Sequence, residues 1–154
     1  MAVFSNSNKK KLTFLFFSIF FLIGIFIFSD YGMSIDEDNT RIVGFLYLES
    51  IFRIFNPENL EQIRSIIVEQ ENAHLNLDIV PSTGPIFDAP MAYLELIFQI
   101  EDSREYFLLR HFFTFLIFFI SVYFFFLIVK KRYNCWSIGI LGALLLIISP
   151  RIFA

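Results

Sequence analysis

A chain of 154 residues that is 56% hydrophobic and carries 23 phenylalanines is too apolar for a soluble domain. Its formal charge is only −3, but residues 30–107 hold all 15 acidic residues and just four basic ones, Arg41, Arg53, Arg64 and Arg104. That segment therefore stands at −11, and the remaining eight basic residues put the rest of the chain at +8. So acidic a segment repels phosphate and excludes nucleic acid as a partner, and a lone Cys135 excludes a disulfide framework.

In chain order, residues 1–11 form a basic leader ending in Lys9, Lys10 and Lys11. Leu12 to Ser29 follows, 18 residues without a charge, long enough to be read as a membrane span. Its length exceeds the apolar part of a cleaved signal peptide, and no small-residue cleavage site follows it. It reads as an uncleaved anchor. A second uncharged run covers Phe112 to Val129 inside an expected span 108–129, and a third, Trp136 to Ser149, ends at Pro150. Lysine and arginine mark the cytoplasmic flanks of spans. Lys9–Lys11 and the turn 130–135, with Lys130, Lys131 and Arg132, are therefore expected inside. Segment 30–107 is expected outside. The expected fold class is all-α: a polytopic membrane protein of three transmembrane helices with a helical outer loop, in an inner (plasma) membrane, N-terminus cytoplasmic. The abundant phenylalanine is read as codon bias combined with lipid-facing positions.

The outer loop is too hydrophobic to be disordered. "RIVGFLYLESIFRIF", 41–55, is apolar around most of its circumference and is expected to lie in the membrane interface. "NPENLEQIRSIIVEQENAHL" offers Asn56 as N-cap and Pro57 at the first helical position, with Leu60, Ile63 and Ile67 at helical spacing. Residues 80–90, with three prolines and a glycine, read as a loop. Asp88 is then expected to cap a helix through "MAYLELIFQI", and Asp102 to cap the helix entering span two. Tyr31, Tyr93, Tyr106 and Trp136 fall near span boundaries and are expected as interfacial anchors. Gly139, Gly142 and Ala143 give the third run a face for close helix packing.

The concentrated chemistry is "DEDN", Asp36 to Asn39, just beyond the first span. From the residues alone four roles stand open. The acids can cap and solvate the next helix. Glu37 and Asp38 can hold a hard divalent cation, although the spacing of an EF-hand loop is absent. One carboxylate can act as a general base at the membrane surface, or the cluster can serve as a scaffold in a larger complex. His74 is read as a solvated helix-end residue. Arg110 and His111 head span two, where both can snorkel to lipid phosphate or contact a substrate phosphate.

A basic N-terminus, a first span, "SIDEDNTRIVG" with Asp36-Glu37 outside it, and helices along the membrane resemble the C-type integral membrane glycosyltransferases, in particular the protein O-mannosyltransferase and aminoarabinose-transferase group. The stretch from Arg110 to Ala154, with an arginine heading span two, a basic turn and a small-residue span ending in Ser149-Pro150-Arg151, is similar as well. Where that group carries a Pro-Pro pair in the outer loop, this chain has Gly84-Pro85 and Pro90. The resemblance implies transfer of a sugar from a polyprenyl-phosphate donor to an acceptor hydroxyl on the non-cytoplasmic face. Asp36 would be the base with Glu37 as its partner, Glu37 or Asp38 would hold any cation, and Arg110 and His111 would meet the substrate. Such enzymes have many more spans than three, so the chain is expected to be an amino-terminal portion, inactive alone. The alternative is a non-enzymatic membrane subunit or sensor whose acidic loop binds a partner.

Overall fold

A computed structural model of the chain describes residues 6–30, 32, 37–55, 60–71, 85–100 and 102–149. These are almost wholly helical, with no strand among the described residues. The helices are α1 (Asn6–Ile27), α2 (Glu37–Phe55), α3 (Leu60–Glu71), α4 (Pro85–Phe98), α5 (Ser103–Tyr133) and α6 (Trp136–Ile148), with a short 3-10 turn at Phe28–Asp30 after α1. The all-α expectation holds for the described residues.

At about 1.5 Å per residue, the 22 residues of α1 extend about 33 Å and the 31 of α5 about 46 Å, against a hydrocarbon core of about 30 Å. Two helices are thus long and apolar enough to cross a membrane. Their apolar stretches are only 6% and 11% buried, unlike the core helix of a soluble protein. The 13 residues of α6 extend about 20 Å, less than a full crossing. The basic residues Lys130–Arg132 form the last turn of α5, where cations meet the negative end of the helix dipole. The expected turn 130–135 accordingly shrinks to Asn134 and Cys135, with Asn134 in the left-handed region at φ 48°.

The chain divides into two compact units. The first comprises residues 1–31 and 111–154. Phe17, Phe20, Val122, Phe126 and Ala143 form its buried core. Phe17 meets the rings of Phe119 and Phe126 edge-on, and Phe20 stacks on Phe119 with centroids 5.6 Å apart. Some phenylalanines are therefore packing residues, while Phe14, Phe26, Phe124 and Phe125 of this unit are exposed, as the lipid-facing reading expects. The Phe115 ring of α5 lies directly over Gly24 of α1, where a methyl group would stand 2.0 Å from it. Gly139 and Ala143 are buried, and a methyl on Gly139 would stand 3.0 Å from the Phe126 ring. The small-residue face of the third apolar run is used as expected.

The second unit comprises residues 32–110. Phe45, Leu48, Ile63, Ile67 and Ala92 make its core, so two of the three apolar positions read for α3, Ile63 and Ile67, point inward as the spacing requires. Asn56 and Pro57 lie outside the described residues. Helix α2 packs on α3 and α4. Its contact with α4 is backbone-close at Gly44, where a Cβ would come within 2.6 Å of the Asp88 carbonyl oxygen. Helix α4 begins at Pro85, inside the stretch read as a loop, because proline suits a first helical turn where no amide donor is needed. It closes with Gln99 at φ 51°, the Ile100 amide donating to the Glu95 carbonyl at 3.2 Å. Asp102 caps α5 as expected, its carboxylate accepting the Arg104 amide at 3.1 Å.

Candidate functional site

Helix α4 is strongly apolar, and its two charged residues, Asp88 and Glu95, are seven apart, which places them on one face two turns from each other. Both are buried, at 3% and 6% exposure. A buried carboxylate needs a partner, and the start of α2 and the head of α5 supply one to each.

Arg41 of α2 takes Glu95. Its Nε donates to both carboxylate oxygens, at 2.9 and 3.1 Å, and its terminal nitrogen donates to Oε1. The same guanidinium lies over the Tyr106 ring, 4.0 Å from the centroid, a stacking that suits a weakly hydrated planar cation. Arg110 of α5 takes Asp88, its Nη2 donating to Oδ1 at 2.5 Å. It also donates to the Thr40 hydroxyl at 3.2 Å, and that hydroxyl in turn donates to the Glu37 carbonyl at 2.9 Å. Thr40 therefore links the first turn of α2 to the arginine that opens the apolar part of α5.

Several expectations change here. Asp88 does not cap α4; it stands in the fourth position of a helix begun by Pro85 and pairs across to Arg110. Arg110 does not snorkel, because its guanidinium is held among Asp88, Thr40 and the Phe87 ring. Tyr106 is no interfacial anchor, being 5% exposed beneath Arg41. Tyr93 is exposed beside Phe52, and Tyr31 lies outside the described residues. Trp136 donates its indole N–H to the Thr13 hydroxyl at 2.7 Å.

Of the acid cluster, Glu37 opens α2, half-buried. Asp36 and the Asp38 side chain lie outside the described residues, as does His74. The cation reading of Glu37 and Asp38 needs the Asp38 side chain and so lies outside the described residues; among the described residues no group of three or more His, Cys, Asp or Glu could hold a metal ion. His111 is half-buried in the first α5 turn after Arg110.

Chemically, the two buried pairs position groups: they hold α4 against the first turn of α2 and the head of α5. Both carboxylate oxygens of Glu95 accept from Arg41, and Oδ1 of Asp88 accepts from Arg110. Sequence reasoning missed Arg41, Asp88 and Glu95 as partners. The available signal was two carboxylates seven apart on an otherwise apolar helix. A third acid, Glu49, accepts from Arg64 Nε at 2.9 Å and from Arg53 at 3.0 Å, tying α2 to α3. Hydrogen bonds from Arg64 and then Arg53 hold its carboxyl below the ordinary glutamate value.

Comparison of the chain with protein-family models, with curated proteins and with solved structures finds no match.

Proposed function

We propose that the chain is a multi-pass integral membrane protein, the amino-terminal part of a glycosyltransferase that moves a sugar from a polyprenyl-phosphate donor to an acceptor hydroxyl on the non-cytoplasmic face. In this reading α1 and α5 cross the membrane, α6 belongs to a third crossing, and α2 carries an interfacial face. Exposed Ile51, Ile54 and Phe55 supply that face.

The observation that carries the reading is the pair of buried arginine–carboxylate contacts around the first turn of α2. They fix Glu37, Thr40 and Arg41 to α4 and to the head of α5, and Asp36 directly precedes that turn in the chain. General bases act from fixed positions, contributing about 10²–10⁴-fold. An ionised carboxylate must also stay at headgroup depth, since at the bilayer centre it costs about 2.5–3.5 kcal/mol on insertion scales. Asp36, seven residues past Ser29, suits that depth. On this proposal Asp36 takes the acceptor proton and Glu37 supports it. Glu37 or Asp38 would hold a divalent cation, whose charge would offset that of the leaving phosphate, and His111 meets the donor. Arg110 is committed to Asp88, so its role becomes positioning. The completeness of both ion pairs equally favours the second reading, a non-enzymatic membrane subunit with a rigid acidic loop.

Membranes carrying the whole enzyme of which this chain would be the amino-terminal part, supplied with polyprenyl-phosphate-linked hexoses and pentoses, decide between the two, the 154-residue chain alone being expected to show no turnover. Release of polyprenyl phosphate above protein-free membranes is expected; none with any donor would favour the subunit. Orientation is tested separately, with Cys135 replaced by serine. An impermeant maleimide should label Ser82→Cys and spare Ser5→Cys in intact cells, and the opposite pattern would invert the topology.

A further inference from the structure

Four lysines converge at one end of the first unit. Lys9 and Lys10 from the start of α1 and Lys130 and Lys131 from the end of α5 line a cavity of about 500 Å³. Positive flanks orient spans, and that role needs no convergence, because charges spread along the flank serve it equally well. Here the convergence is built. The Trp136 indole forms part of the wall, fixed by its N–H donating to Thr13 Oγ1 at 2.7 Å, while that hydroxyl donates to the Lys9 carbonyl at 2.8 Å. The absence of a side chain at Gly139 lets α6 lie against α5, with a methyl there only 3.0 Å from Lys130 Cβ.

Like charges gathered around one cavity repel unless an anion joins them. Residues 1–29 and 108–154 contain no acidic residue, and among the described residues none of the four lysines is in an ion pair. A counter-anion from outside the chain is the natural complement. The wall includes Leu127, and exposed Phe124 and Ile128 continue the apolar surface along α5. An occupant with a charged head and hydrocarbon tails therefore fits better than a free anion. Four ammonium groups can engage two phosphates, a pair of lysines to each.

We propose that this cavity binds the headgroup of an anionic phospholipid carrying two phosphates, of the cardiolipin class. The proposal rests on α1 and α5 crossing the membrane, and is independent of any sugar transfer.

The chain's single tryptophan lines the cavity, so its fluorescence reports occupancy directly. In phosphatidylcholine nanodiscs, brominated cardiolipin should quench Trp136 at lower mole fraction than brominated phosphatidylcholine does. Lys10→Gln/Lys130→Gln should weaken that preference about 25-fold, taking about fivefold per lysine. Lys11→Gln/Arg132→Gln, which removes two charges from the same flanks outside the cavity, should leave it nearly intact. Equal losses in both pairs would mean a diffuse surface field and overturn the site. Inorganic pyrophosphate in the buffer should not relieve the quenching; relief at matched concentration would assign the cavity to soluble anions and overturn the lipid. Failure of the chain to enter nanodiscs at all would overturn the membrane reading itself, and the site with it.

Discussion

In the unit built from α1, the body of α5 and α6, neighbouring helices are joined by rings and small residues: Phe17 and Phe20 against Phe119 and Phe126, Gly24 against Phe115, Gly139 against Phe126. In the unit built from α2, α3, α4 and the head of α5, buried guanidinium–carboxylate contacts do much of that joining. On the proposed membrane reading, the difference follows from the solvent each sequence is written for. Helices in hydrocarbon gain nothing from hiding leucine or phenylalanine from lipid, so close shape and ring geometry must hold them. In the acidic unit, which the same reading places in water, two arginines can be buried only where carboxylates meet them, and the directional contacts then allow few alternative packings. Whether buried ion pairs add stability over apolar replacements is a separate matter, and often they do not.

That distinction can be broken experimentally, first at the buried pair. Asp88→Ala strands Arg110 and should cost about 3–5 kcal/mol of stability, whereas Asp88→Ala/Arg110→Met should recover most of it. Thermal melting in detergent, followed by helical circular dichroism, reads both. A double variant no more stable than the single would show that Arg110 is not the residue left uncompensated.

Two glycines sharpen the comparison, one from each unit. A methyl on Gly44 meets the Asp88 carbonyl oxygen at 2.6 Å, which is backbone and cannot turn away; one on Gly24 meets the Phe115 ring, which can. Overpacking costs about 1–3 kcal/mol. Gly44→Ala should fall at the upper end of that range and resist rescue. Gly24→Ala should fall at the lower end and be relieved by Phe115→Leu. Equal losses, both insensitive to Phe115→Leu, would remove the contrast.

The smallest effect is expected at the exposed edge. Arg53 and Arg64 are mostly solvated, so Glu49→Gln should cost only about 0.2–1 kcal/mol at neutral pH. Because the folded carboxyl lies below the ordinary value of 4.5, its contribution is present above that pH and lost as pH falls through the folded value. Melting curves of wild type and Glu49→Gln should therefore converge only in that acid range. A constant gap down to lower pH would show that Glu49 does not act through its charge.

The two long helices were legible because an uncharged run of 18 residues has few other uses. The inward faces of α3 and α6 were legible because Ile63 and Ile67, and Gly139 and Ala143, keep helical spacing. What escaped was the pairing of α4 with α2 and α5. Asp88, Tyr106 and Arg110 each satisfied a local rule, as cap, anchor and snorkel. Local rules lose to a buried partner, because leaving a carboxylate unpaired inside a packed unit costs more than a cap contributes. The same competition hid the start of α4, where Pro85 opens a helix within a run of loop-forming residues. Of the candidate site, the sequence indicated the acid cluster and Arg110, but not the helix-to-helix pairs that hold the first turn of α2.

The most direct measurement compares Asp36→Asn with Asp38→Asn in the complete enzyme of which this chain would be the amino-terminal part, each scored for donor turnover and for melting in detergent. The amide keeps the size of the carboxylate but cannot accept the proton. Asp36→Asn should therefore lower kcat by at least about 10²-fold with little change in melting. Asp38→Asn, which on this reading weakens only helix capping, should shift stability by about 1 kcal/mol at most and leave the rate nearly intact. Near-normal turnover in Asp36→Asn would contradict a catalytic role for the acid cluster.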